Sequence, residues 1–261
     1  MLEDEELEEA WDSFSTPNRQ AAIFNVVFEM NPYSNEAMDL VDVINERVGI
    51  ALEGTELGGN EYSIGGLTSM NRDLGDVSDE DFVRTAVIML SGIFLVLVFL
   101  LRSLVMPLYI LASLILTYLV SVCLTEFIFV TILGYLGISW AVPFFGFVML
   151  MALGVDYSIF LMARFAENVE KLPVKEAMIH AMGQIGTVIL SAAVILAGTF
   201  GAMMLSGVLS LMQIGTLVLT GLLMYAVIML PLFVPVLANV FGNHNWWPFK
   251  NRGGRQKQEK V

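Results

Sequence analysis

Asp156 is the one charged residue between Phe127 and Ala163, within LGVDYSIFLMAR (153–164). The segment is apolar and long enough to cross a bilayer. A carboxylate at the centre of such a helix costs roughly 2.5–3.5 kcal/mol on insertion scales. Protonation or a polar partner removes that cost, so an intramembrane acid reads first as part of a proton or ion relay. Tyr157 adds a hydroxyl that can bond a carboxylate or a neighbouring helix. Successive helical residues point about 100° apart, so Asp156 and Tyr157 meet different neighbours. The competing reading of the pair is a polar clasp between helices. Ser191 and Thr187 lie four apart and share a face, where their hydroxyls can serve Asp156, a water or their own backbone. Gly154 with Ser158, and Gly198 with Ala202, are small pairs that allow close helix approach. Pro231 and Pro235 are expected to kink their helix. His180 reads as a loop residue with no special role, Glu126 as solvated, and Cys123 as a small hydrophobe buried among helices. The sequence holds no metal-ligand cluster, phosphate loop or nucleophile elbow, so it suggests neither an enzyme nor a cofactor.

The elements that must hold these residues are membrane helices. The chain is 56% hydrophobic and only 15% charged, with a mean hydropathy of +0.72, which places it in the membrane class. Five spans are expected, at about 85–101, 105–125, 142–163, 186–205 and 212–238. Residues 127–137 are apolar but too short to cross and read as interfacial or re-entrant. Basic residues set the direction: Arg102 after the first span, Arg164, Lys171 and Lys175 after the third, and a tail over 242–261 with Lys250, Arg252, Arg255, Lys257 and Lys260. The positive-inside rule makes these regions cytoplasmic, with Trp140 at the outer interface and Trp246 and Trp247 at the inner one. Residues 1–83 then lie outside the cell.

That first segment is acidic. It carries twenty of the 26 acids and, as bases, only Arg19, Arg47 and Arg72, which argues against a nucleic-acid partner. A strand is expected over QAAIFNVVFEM (20–30). A helix should follow, capped by Ser34 or Asn35, with Ala37, Leu40, Val41, Ile44, Val48 and Leu52 on its apolar face. Gly54, Gly58 and Gly59 break it, and a second strand is expected over EYSIGGLTSM (61–70). The order is β-α-β, with a further helix over 3–14, and such a unit needs more strands to build a core. MLEDEELEEAWDSF lacks the basic and apolar regions of a signal peptide. An upstream helix would have to carry the segment across, so the reading is a C-terminal piece of a larger protein or a subunit with a missing partner.

Around LGVDYSIFLMARF the chain resembles the MMPL family of the resistance-nodulation-division transporters. RSLVMPLYI (102–110) resembles the family's turn between helices eight and nine. GGLTSMNRDLGDVSDEDF (65–82) resembles its return from the extracytoplasmic porter domain, and LSAAVILAGTFGAM (190–203) its helix eleven. The resemblance implies twelve helices in two similar halves, each with a porter segment and a midmembrane Asp-Tyr pair, the two pairs acting together as a proton relay. Asp156 and Tyr157 match the pair of helix ten, and Ser191 falls where helix eleven approaches it. The family resembles proton-driven exporters of lipids or hydrophobic compounds in the bacterial plasma membrane. The implied partners are the bilayer, protons, a hydrophobic substrate and the missing N-terminal half. The first half, with its own pair and helix seven, is absent here. The rival expectation is a sterol- or lipid-sensing or scaffolding protein on a similar bundle, or an inactive truncated half.

Overall fold

The structure, a computed structural model, describes residues 14–16, 21–32, 34–53, 55 and 62–249. Two compact units divide the chain, Met1–Arg72 and Asp73–Val261.

In the first unit the expected helix is present as α1, Asn35–Leu52. Of the two cap choices, Ser34 is the residue used. Its backbone is extended and its Oγ accepts the Ala37 N–H at 3.2 Å, satisfying one of the free amides of the first turn. Ala37 and Val41 are buried on the apolar face. The β-α-β reading is corrected. Among the described residues there is no strand, only an isolated bridge between Ser15 and Ala22. Residues 23–28 run without regular structure, with Ile23, Phe24, Val26 and Val27 exposed. The β-branched run has the right composition, but a strand needs a neighbour's main-chain groups, and no described segment supplies a ladder. Residues 62–65 are irregular too, and after Gly66, at φ 133°, the chain turns helical instead of forming the second strand. Apart from Phe14, the helix expected over 3–14 lies outside the described residues. So do Gly54, Gly58, Gly59 and the basic residues of the tail.

Five helical segments are long and apolar enough to cross a membrane: Leu67–Leu101 (α2), Val105–Ile132, Ala141–Asn168 (α4), Val174–Met203 (α5) and Leu209–Trp246. The second comprises α3, Val105–Glu126, and a π-helical turn Phe127–Ile132, so the apolar run after Glu126 extends its helix instead of re-entering separately. The fifth begins as α6, Leu209–Met224. It widens to a π-helical stretch over Tyr225–Phe233 that contains Pro231, and ends in α7, Val234–Phe241, and a 3-10 turn, Gly242–Trp246. Pro231 cannot donate a backbone N–H, and the helix accommodates this by widening its turns.

All five exceed the spans read from hydropathy. Hydropathy marks the part that suits lipid, whereas backbone hydrogen bonding carries a helix on into water. At 1.5 Å per residue, the 30 residues of α5 extend about 45 Å, against a hydrocarbon core of about 30 Å. This places His180 inside α5 and not in a loop.

The core of the second unit lies between α3, α4 and α6. Half of the most apolar window of each of their segments is buried, against 17% for α5 and 6% for α2. Small residues let the backbones approach. A methyl on Gly215 would come within 2.7 Å of the Phe200 carbonyl oxygen on α5, and one on Gly221 within 2.8 Å of Ser121 Oγ on α3. Two polar clasps close the ends. Gln213, fully buried, donates to Gly137 O at 3.0 Å and accepts the Ser139 N–H at 2.9 Å. At the other end Ser103 Oγ caps α3, accepting from Val105 and Met106, and donates to Asn245 O. Trp246 is buried against Phe165, ring centroids 5.6 Å apart, so it is a core residue and not an interface anchor; Trp247 is exposed. Cys123 is exposed on α3, not buried as its apolar setting suggested.

Candidate functional site

Helix α4 presents two chemically different faces around residue 156. On the inner face Gly154 approaches α3 so closely that a Cβ there would overlap Leu114 Cδ2. One turn on, Ser158 is fully buried and donates to Gly154 O at 3.1 Å. Its Oγ also meets the hydroxyl of Tyr225, the first residue of the π-helical stretch. Ser113 of α3 lies 3.4 Å from the same hydroxyl and donates to Ile110 O at 2.7 Å. Both serine hydrogens are committed to carbonyls, which leaves Tyr225 as the donor to Ser158. The Gly154–Ser158 pair is thus a packing surface with a buried three-helix polar junction built on it. Sequence reasoning missed Ser113 and Tyr225. The available signal was a tyrosine and a serine inside apolar spans, where each hydroxyl needs a partner.

The outer face carries the acid. Asp156 is exposed, flanked at one-turn spacing by exposed Ala152 and Phe160. Among the described residues no hydrogen bond or ion pair reaches its carboxylate. Tyr157 turns the other way and is buried, 6% exposed, and its hydroxyl has no hydrogen-bond partner. A buried phenol without a partner forfeits a bond that burial normally demands, so the position is poised for a polar group. Ser191 stands exposed on α5 and donates to Thr187 O at 2.8 Å, the common back-bond of a serine in a membrane helix. The chain therefore places Asp156 and Tyr157 in one turn and Ser191 on the adjacent helix, but joins none of the three by a hydrogen bond. Gly198, whose missing side chain would meet nothing within 4 Å, and exposed Ala202 also look outward, so that small pair packs against no helix among the described residues.

No group of three or more His, Cys, Asp or Glu side chains stands together as a metal site among the described residues. What the arrangement offers is one ionisable carboxyl, facing off its own bundle, midway along an apolar helix.

Five long apolar helices, with a core of large apolar side chains and a minority of buried hydroxyl residues, define a multi-pass helical membrane protein. The chain belongs to the MMPL family, whose sequence profile matches residues 2–259. It is 46% identical over 256 residues to the membrane protein YdgH of Bacillus subtilis (strain 168), covering 98% of this chain and 29% of YdgH. It is 29% identical over 267 residues to the sulfolipid-1 exporter MmpL8 of Mycobacterium tuberculosis, covering 98% of this chain and 24% of that protein. It is also 29% identical over 248 residues to the acyltrehalose exporter MmpL10 of the same species, covering 95% of this chain and 25% of the exporter. The chain thus spans 24–29% of the length of these curated relatives.

Proposed function

We propose that this chain works as the C-terminal half of a proton-motive-force-driven exporter of lipids or hydrophobic compounds, with Asp156 as the group that binds and releases the proton. The observation that carries the reading is the direction of Asp156. It faces away from the bundle that holds it, where a partner from a second half would complete the site. Tyr157 tunes the acid from the inner side, and Ser191 completes the relay from α5. The family membership supports transport, and the relatives named as exporters of sulfolipid-1 and acyltrehalose support a lipid substrate.

Moving one charge through the membrane field releases about 2.3 kcal/mol per 100 mV. Protonation of Asp156 changes the polarity of the α4 outer face and hence what it can pack against, and the change in packing drives the extracytoplasmic segment that handles substrate. The basic loops at Arg102 and at Arg164, Lys171 and Lys175 are cytoplasmic in this scheme, with the C-terminal tail, and residues 1–83 are outside.

The test is Asp156→Asn in the complete transporter, followed by export in cells and proton flux in reconstituted vesicles. Asparagine keeps the size and removes the titration, so both activities should be lost. Unchanged export would rule out the relay.

A further inference from the structure

Helix α5 carries a polar stripe of which the relay uses only Ser191. Glu176, His180, Gln184, Thr187 and Ser191 are all exposed, and so is Gly183 between them. At 100° per residue they fall within an arc of about 80–100°, one continuous face of the helix. Beyond Ser191 the same face becomes apolar and small, with Val194, Ile195, Gly198 and Ala202. The switch has a position. Asp156 lies 12 residues, or about 18 Å, from the end of α4 at Asn168. The helices are joined by a short turn and run antiparallel, so an equal rise along α5 from Val174 reaches about residue 186. Polarity on the α5 face therefore runs from its first turn to the level of Asp156, with Ser191 one turn beyond, and stops. The first turns of α5 reach water, whereas toward the level of Asp156 a polar group in the bilayer must find a partner.

The start of the stripe is a groove. Leu172, Glu176, Ile179, His180, Gly183 and Gln184 line a surface cavity of about 620 Å³, and Gly183 leaves room in it. The side chains of His180 and Gln184 hold no hydrogen bond among the described residues, which leaves their donors and acceptors available. Among the described residues the charged groups at this end include Lys175 on α5, the Arg164–Glu167 pair at 2.7 Å on α4, Glu170 and Lys171 in the turn, and Arg102 between α2 and α3.

We propose that this stripe is the water-filled path between Asp156 and the aqueous phase at the N-terminal end of α5, with Glu176 and His180 at its mouth and Gln184 and Thr187 along it. The inference rests on the relay reading of Asp156. A proton leaving the Asp156 carboxyl passes to water, moves between waters held by the Thr187 hydroxyl and the Gln184 amide, and reaches bulk at the mouth. Asp156 is left as carboxylate, and no other bond changes.

Two measurements on the complete transporter test it. In a cysteine-free background, single cysteines replace His180, Gln184, Thr187, Val188 and Ile195, and a membrane-impermeant thiosulfonate is applied from the α5 N-terminal side. Labelling is expected at 180, 184 and 187 and its loss at 188 and 195. In vesicles, the double variant Gln184→Leu, Thr187→Val should lose proton flux while Asp156 still reacts with a hydrophobic carbodiimide, which takes protonated carboxyls. Asp156→Asn is run beside it. If Asp156→Asn retains flux, the relay falls and the path with it. If Asp156→Asn loses flux but the double variant keeps it, or cysteines at 184 and 187 stay unlabelled, the path alone is overturned.

Discussion

At the scale of single residues, α4 separates two uses of polarity that look alike in sequence. Ser158 and Tyr157 are buried beside Asp156, yet only Ser158 finds a partner, through Tyr225. The Ser113–Tyr225–Ser158 junction is a stability element: Tyr225→Phe should cost about 0.6–1.7 kcal/mol, the range of interhelical hydrogen bonds in membranes, read by unfolding in detergent. Tyr157→Phe removes a hydroxyl that has no bond to lose, so in this chain its stability should hold within about 0.5 kcal/mol. In the complete transporter the same change should alter proton flux, because the hydroxyl then has Asp156 chemistry to tune. A stability loss for Tyr157→Phe matching that of Tyr225→Phe would make it a structural clasp instead. Gln213 is a sharper case. Gln213→Leu strands the half-buried Gly137 carbonyl and Ser139 amide, a cost of about 1–3 kcal/mol, measurable in the same unfolding experiment.

At the scale of elements, glycines with the same look in sequence part company. Gly215 sits against backbone, with the Phe200 carbonyl oxygen 2.7 Å and Met203 Cβ 3.0 Å from where a methyl would stand. Neither neighbour can rotate away, so Gly215→Ala should push α5 and α6 apart and cost about 1–3 kcal/mol. Gly198→Ala meets open space in this chain and should be neutral here. If Gly198→Ala weakens assembly or export in the complete transporter while leaving this chain's stability intact, its face is covered by another helix there. Cross-linking from a cysteine at 198 is the direct check. The π-helical stretch explains why Pro231 is tolerated: the turn around it is wider, and Tyr225 at its start is anchored to two other helices.

At the scale of the whole molecule, the distribution of burial carries the argument. The segments of α3, α4 and α6 are half buried, whereas α5 and α2 expose most of their apolar windows. The polar residues of functional interest, Asp156, Ser191 and the α5 stripe, all lie on exposed surface. Orientation belongs to this scale as well. With the basic loops inside, a tag or glycosylation site inserted in residues 1–61 should be reached only from outside, and one at the 250–261 tail only from inside. Impermeant labelling of intact cells and inverted vesicles reads both, and the opposite pattern would reverse the direction of the proposed path.

Length, hydropathy and charge determined from the chain alone that this is a helical membrane protein with an acidic segment before five spans. They also singled out Asp156, because a lone carboxylate in an apolar run is expensive in any fold. The cap of α1 was legible to Ser34 or Asn35 for a similar reason, since capping is local and decided within four residues, and the structure chose Ser34. What needed tertiary structure were the properties that depend on distant partners. Among the described residues the strands expected at 20–30 and 61–70 did not form, because a strand is completed only by neighbouring strands. His180 proved helical, because hydropathy marks where lipid suits a helix and not where hydrogen bonding ends it. The directions of Asp156 and Tyr157 could not be read from their adjacency, since 100° of helix rotation says they differ but not which one meets the core. That was settled by Leu114, Tyr225 and Gly154, residues up to 111 positions apart that pack α4 with its acid facing out.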